Sequence, residues 1–170
     1  MRRRKNIRLP VIIREFRQDD LGTILDIAVA AWQPVFESTR NIIGDELFEI
    51  TYPDPNARKR NSISTACNEN DPTLVWVAEQ DGEIAGFITV IFNHEKLVAE
   101  IGNNAVSPSH QGSGIGTQMY EFVLKQIKQT GMKSAVVTTG GDEAHAPARR
   151  AYEKAGFSGA VPSVEYHIKL

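Results

Sequence analysis

Apolar residues change their period along the chain, and the changes mark the elements. VIIREF, Val11 to Phe16, has the β-branched content of a strand. Directly after it, Leu21, Ile24, Leu25, Ala28 and Trp32 recur at the 3.6-residue spacing of an amphipathic helix, and Asp19 and Asp20 stand where an N-cap is expected. Between Pro34 and Pro72 the pattern is mixed. There IIGDELFEI reads as a short helix, TYPDP as a breaker, and Asn56 to Asn70 as a polar, weakly amphipathic helix.

LVWVAEQ and EIAGFITVIF then carry strand composition on either side of Asp81-Gly82, a dipeptide that favours the positive φ angles of a type I′ turn and so closes a hairpin. KLVAEIGNNAV adds a third strand to the meander. From Ile115 the period is helical again, with Ile115, Met119, Val123 and Ile127 on one face and Gly131 placed for a C-terminal cap. SAVVTTG reads as a strand. Pro147 opens a helix whose small face, Ala148, Ala151 and Ala155, allows close packing on a sheet, and Gly156 ends it. VEYHIKL, Val164 to Leu170, alternates and predicts a closing strand. This order predicts an α/β fold with a mixed, mostly antiparallel central sheet and helices on both faces.

A length of 170 residues suits one domain, with residues 1–8 read as a frayed basic terminus. Acidic and basic residues nearly balance, at a net charge of −2, so neither nucleic acid nor an anionic membrane is expected as a partner. Cys67, the single cysteine, has no disulfide partner within the chain, and only the short run VII follows the basic N-terminus, so a cytoplasmic location is expected. No window approaches the length of a membrane span. His94, His110, His145 and His167 lack ligand spacing, so no metal is expected.

The stretch AVSPSHQGSGIGTQMYEF puts Gly112, Gly114 and Gly116 at the junction between a strand and a helix. A Walker-type loop requires lysine after its last glycine, and Thr117 stands there. A dinucleotide fingerprint requires a different glycine spacing inside a parallel β-α-β unit. The remaining device is general: free N–H groups of a bare loop, together with the positive end of a helix, facing a pyrophosphate. On glycine content alone, a tight turn without a ligand fits equally well.

Gln111-x-x-Gly114-x-Gly116, directly after a strand ending Ala105-Val106, resembles the acetyl-coenzyme A (acetyl-CoA) loop of the Gcn5-related N-acetyltransferase (GNAT) superfamily. AEI, Ala99 to Ile101, lies upstream at the spacing of the histone acetyltransferase branch, and ARRAYEKAGF, Ala148 to Phe157, is similar to the superfamily's penultimate helix. The element order agrees from Val11 to Leu170, and the resemblance is thinnest between Pro34 and Pro72.

The resemblance implies a GNAT-like fold, acetyl-CoA as co-substrate, and acetyl transfer to a primary amine by direct attack in a ternary complex. It gives the pyrophosphate to the backbone of Gln111, Gly112, Ser113, Gly114, Ile115, Gly116 and Thr117, and the pantetheine arm to free backbone groups of Ala105 and Val106. Attack requires a neutral amine, and Glu100 stands where the histone-modifying members carry their general base, a part-buried strand position being suited to that task. Tyr152 matches the tyrosine that protonates the departing thiolate. His145 replaces an asparagine that in many members contacts the pantetheine amides; histidine can donate or accept there, or face the acceptor. Arg149 and Arg150 lie either within reach of a coenzyme phosphate or in solvent. From the residues alone, Glu100 is equally a solvated strand glutamate. Tyr152 shares a face with Ala148 and Ala155 and reads as a core aromatic, though a buried hydroxyl needs a partner, which favours the acid role.

Trp32, Phe36 and Tyr52 lie in segments that in this superfamily build the acceptor pocket, and Glu37, Asp45, Glu46 and Glu49 favour a cationic amine on electrostatic grounds. A small-molecule amine, a peptide N-terminus and a protein lysine all stay open as acceptors, and a homodimer is in keeping with the superfamily. Cys67, far from every matched motif, is expected to be an inert thiol. The alternative from another class is a non-catalytic acyl-CoA-binding sensor or interaction module, against which the presence of both Glu100 and Tyr152 argues.

Overall fold

The computed structural model describes residues 10–170, and the basic terminus, residues 1–8, lies outside the described residues. Along the chain run β1 (Ile12–Glu15), α1 (Leu21–Ile43), α2 (Asp45–Thr51), α3 (Pro55–Ala66), β2 (Leu74–Gln80), β3 (Glu83–Asn93), β4 (Val98–Val106), α4 (Ile115–Gln129), β5 (Ser134–Val137) and α5 (Ala146–Lys154). The five strands form one sheet in chain order, antiparallel throughout except for the parallel pair β4–β5. Asp81 and Gly82 both have positive φ, 55° and 82°, as a type I′ hairpin between β2 and β3 requires.

Helices cover both faces of the sheet, so its central strands are apolar on both sides and read as continuous runs. On one face Trp76, Ala78, Ile88, Val90, Ala99 and Ile101 meet the α4 stripe of Ile115, Met119, Val123 and Ile127. On the other face Val75, Val77, Phe87 and Ala105 meet Ile24 and Ala28 of α1 and Ile63 of α3. A residue such as Phe87, buried completely, contributes about 1.5–3 kcal/mol through that burial.

Four expectations are corrected. Helix α1 runs on through Pro34, where the ladder lacks one N–H donor, and takes in Ile42 and Ile43; it stops at Gly44, whose φ of 83° breaks the turn before α2. Helix α3 ends at Ala66 rather than Asn70. Asp20 begins α1 without capping it through its side chain: the carboxylate binds Arg14 at 2.7 and 3.0 Å and accepts from the Arg17 N–H at 2.7 Å. The segment VEYHIKL forms no strand. Its apolar positions Val164, Tyr166, Ile168 and Leu170 are exposed, Tyr166 by 91%, because alternation alone does not make a strand where no neighbour supplies the ladder.

A bulge in β4 sets up everything that follows. Ile88 pairs with Asn104 and Val90 with Ile101, so Thr89 alone stands opposite both Gly102 and Asn103. A Cβ on Gly102 would lie 2.8 Å from Thr89 Oγ1, closer than a side chain tolerates, so this position is confined to glycine. The extra residue resets the alternation: Ala99 and Ile101 face α4 and α5, Asn103 reaches α3, and Asn104 reaches α4.

Candidate active site

The β4–β5 ladder is short. It pairs Val98 to Ile101 with Ser134 to Val137 and stops there, while β4 continues to Val106, paired on its other edge with β3. Strand β5 ends at Val137, opposite Ile101, leaving the β5-facing edge of Gly102–Val106 outside the ladder at the point where the chain enters the glycine loop.

The loop is shaped by its own short bonds. Ser107 N–H donates to Ala85 O at 2.8 Å, Gln111 Nε2 folds back onto Val106 O at 3.2 Å, and Ser113 Oγ donates to His110 O. Gly112 and Gly114 both lie in the left-handed region, at φ of 74° and 86°, and Gly114 is the N-cap of α4. Because Gly114 offers no side chain to cap the helix, the first-turn N–H groups of α4 are left for another partner. Ile115 is buried, so only its backbone belongs to this surface; Gln111 and Gly112 are exposed, and Ser113, Gly116 and Thr117 are partly so.

Behind the loop, Tyr152 of α5 is 8% exposed and packs edge-on against Tyr120 of α4, with ring centroids 5.2 Å apart. Tyr120 donates its hydroxyl to Asn104 Oδ1 at 2.6 Å. Burial, reinforced by the Tyr152 hydroxyl beside it, pushes Tyr120 well above the usual tyrosine value, so it stays a neutral donor. Tyr120 and Asn104 were not singled out from the sequence, although two asparagines in succession inside an apolar strand were the available signal.

His145 ends a short turn before α5, with Nδ1 against the Asp142 carboxylate. Asp142 also accepts from Ser38 Oγ of α1. Its burial acts to raise its pKa, but the hydrogen bonds from Ser38 and His145 outweigh that and hold the carboxyl below its ordinary range. Arg149 does not reach outward for a phosphate: its guanidinium donates to Gly140 O at 2.7 Å and Asp142 O at 2.6 Å, clamping the same loop.

Glu100 lies between Ala99 and Ile101 on the strand, facing away from α4. Opposite it in register stand Ile91 and Val136, exposed by 41% and 45%, and Glu100 itself is exposed, so the partial burial expected of it is absent. On that same face Lys59 of α3 donates to Asn103 Oδ1 at 3.2 Å and lies 3.5 Å above the Trp32 ring. Of the four acids read as an attraction for a cationic amine, three are paired, Asp45 and Glu49 with Arg40 at 2.9 and 3.3 Å and Glu46 with Lys169, while Glu37 of α1 meets no cation among the described residues. Cys67 is buried, and burial pushes its thiol up to about 11, which removes the thiolate a covalent route requires. Two surface pockets lie elsewhere, one by Arg14 and Glu79, the other by Phe16 and Cys67, and neither includes a residue of the glycine loop.

A mostly antiparallel sheet whose one parallel pair ends beside a glycine-led helix defines an acyl-CoA-type transferase fold. Residues 36–157 match the acetyltransferase (GNAT) family, and the chain belongs to it. Among curated relatives, mycothiol acetyltransferase of Thermomonospora curvata is 31% identical over 96 residues, covering 56% of this chain and 31% of that protein. Mycothiol acetyltransferase of Stackebrandtia nassauensis is 26% identical over 150 residues, covering 85% of this chain and 48% of that protein. The chain thus spans a third to a half of the length of these relatives. Among solved structures, PaiA N-acetyltransferase from Thermoplasma acidophilum in complex with coenzyme A shares the fold at a TM-score of 0.65 and 21% identity, over 88% of this chain and 91% of that one. AAC(6′)-Iy in complex with the bisubstrate analogue CoA-S-monomethyl-acetylneamine does so at a TM-score of 0.61 and 15% identity, over 95% and 100%.

Proposed function

We propose that this protein is a single-domain N-acetyltransferase that moves an acetyl group from acetyl-CoA to a primary amine by direct attack, with both substrates held at once. The observation that carries the reading is the end of the β4–β5 ladder at Ile101 while β4 runs on to Val106 and leads into a left-handed glycine turn at the head of α4. The edge left outside the ladder supplies main-chain partners to the amides of a pantetheine arm, as a neighbouring strand would. The segment from Gln111 to Thr117, ending on the positive pole of α4, suits a pyrophosphate. The coenzyme A named with PaiA and the CoA-linked analogue named with AAC(6′)-Iy support the same class of ligand here.

The residues then divide the chemistry. An ammonium has no lone pair, so Glu100 takes the amine proton, directly or through a water. As the C–N bond forms and the C–S bond breaks, Tyr152 protonates the departing thiolate, its hydroxyl kept in place by Tyr120. His145, committed through Nδ1 to Asp142, keeps Nε2 as an acceptor for a pantetheine N–H. A cytoplasmic homodimer is the setting this reading expects, with the oligomeric state checked by light scattering.

The test is release of free thiol from acetyl-CoA across polyamines, amino acids, short peptides and aminoglycosides. Amine-dependent release supports the reading. Coenzyme A binding by calorimetry with no release on any amine leaves a non-catalytic acyl-CoA-binding module instead.

A further inference from the structure

Lys59 differs from Arg14, Arg40 and Arg60 in what surrounds it. Arg14, Arg40 and Arg60 each meet a carboxylate. Among the described residues Lys59 meets the face of Trp32 and the amide oxygen of Asn103, and neither carries charge. Burial, with the charge of Arg58 beside it, brings its ammonium down to about 8, as befits a cation held without a counter-ion. At neutral pH it is still largely protonated, and Asn103 and Trp32 leave N–H donors unspent out of its three.

Its position gives this charge a use. Asn103 is the residue that the bulge turns toward α3, on the face of β4 that also carries Glu100 and Ala105. At roughly 3.3 Å per residue, Glu100 is about 10 Å and Ala105 about 7 Å along the strand from it. An acceptor amine between a base at Glu100 and a thioester carried on from Ala105 has to cross this stretch, and Lys59 borders it.

We propose that Lys59 anchors a carboxylate of the acceptor, so that the substrate class is an amino acid or short peptide whose amine meets the thioester while its carboxylate meets the Lys59 ammonium. The inference rests on the proposed transfer of acetyl to an amine. Trp32 and Asn103 hold the ammonium in place and the carboxylate supplies the missing counter-charge. A polycationic acceptor brings like charge to a cation already short of a partner. The acids of α2 do not offset this, since Arg40 and Lys169 hold them.

The experiment compares matched acceptors: phenylalanine, phenylalaninamide and phenethylamine; lysine, lysinamide and cadaverine; β-alanine, β-alaninamide and taurine, the last to separate carboxylate from sulfonate. The carboxylate member is expected to exceed its amide in kcat/KM by roughly ten- to hundredfold, chiefly through KM, the range for a hydrogen bond to a charged group. Lys59→Met is expected to bring that ratio toward one and Lys59→Arg to keep most of it, with circular dichroism checking the fold. Should Lys59→Met not fold, the wild-type ratios and Lys59→Arg still decide. Turnover without a carboxylate preference, a preference for the sulfonate or the cationic amines, or a ratio unmoved in folded Lys59→Met overturns the anchor alone. Coenzyme A binding with no transfer to any amine overturns the proposed activity, and the anchor with it.

Discussion

Tyr120 of α4 and Asn104 of β4 are joined by a 2.6 Å hydrogen bond that fixes the helix after the glycine loop to the residue at which the bulged strand has just changed face. The bond holds the far end of β4 in register with α4, and the same hydroxyl lies beside Tyr152. One side chain therefore supports both the far end of β4 and the candidate acid.

Tyr120→Phe keeps the ring packed and leaves Asn104 Oδ1 short of its donor. The expected cost is about 1–2 kcal/mol, read as a fall in melting temperature of roughly 2–8 °C for a chain of this size. An unchanged melting curve means that the bond adds nothing to the packing.

Tyr152→Phe separates acid catalysis from core packing. If the hydroxyl protonates the thiolate, kcat falls while coenzyme A affinity by calorimetry stays close to wild type, the pattern of an interaction made in the transition state. An acyl donor with a more acidic thiol needs less protonation and is expected to restore part of the rate. Full activity with acetyl-CoA assigns Tyr152 to the core.

Glu100→Gln preserves the size and hydrogen-bonding reach of the side chain and removes its capacity to take a proton. On the proposed mechanism turnover drops by on the order of 10²–10⁴-fold, with coenzyme A binding intact. Wild-type turnover gives the base role to another group or to water.

The two loop glycines ask different questions. A side chain at Gly114 is strained by its φ of 86° whether or not a ligand binds, so loss of binding there is ambiguous. At Gly116 an added Cβ would meet Val106 Cγ2 at 3.7 Å, an ordinary contact, so Gly116→Ala is expected to fold normally and to weaken coenzyme A by crowding the pyrophosphate. Undiminished affinity in calorimetry removes Gly116 from the binding surface.

Stability toward acid is expected to depend on Asp20. The hydrogen bond from Arg14, working against burial, holds Asp20 below its ordinary value of 3.8, so the folded state binds this proton less readily than the unfolded chain does. Its stabilisation is therefore complete above that value and is lost as the pH falls through the lower, folded value. Asp20→Asn is expected to cost about 1–3 kcal/mol at pH 7 and progressively less as the pH falls below 3.8, followed by urea unfolding across that range.

Sequence and tertiary structure decided different things here, and the division follows the range of the forces involved. Local periodicity and turn chemistry were sufficient for the α4 stripe from Ile115 to Ile127, for the Asp81-Gly82 hairpin and for the helix opened by Pro147, since each is set by neighbours within a turn or two. The glycine spacing likewise marked the loop before α4. VEYHIKL shows the limit: its alternation is as regular as that of any strand in the sheet, yet a strand exists only where another chain segment accepts its bonds. The β4 bulge is decided by Thr89 facing Gly102 across the sheet, the Ser38–Asp142–His145 link joins residues more than 100 positions apart, and the uncompensated Lys59 depends on what α1 and β4 bring against α3. Such contacts come from packing at long sequence separation, and periodicity along the chain carries no record of which distant side chain will fill the other half of a pair.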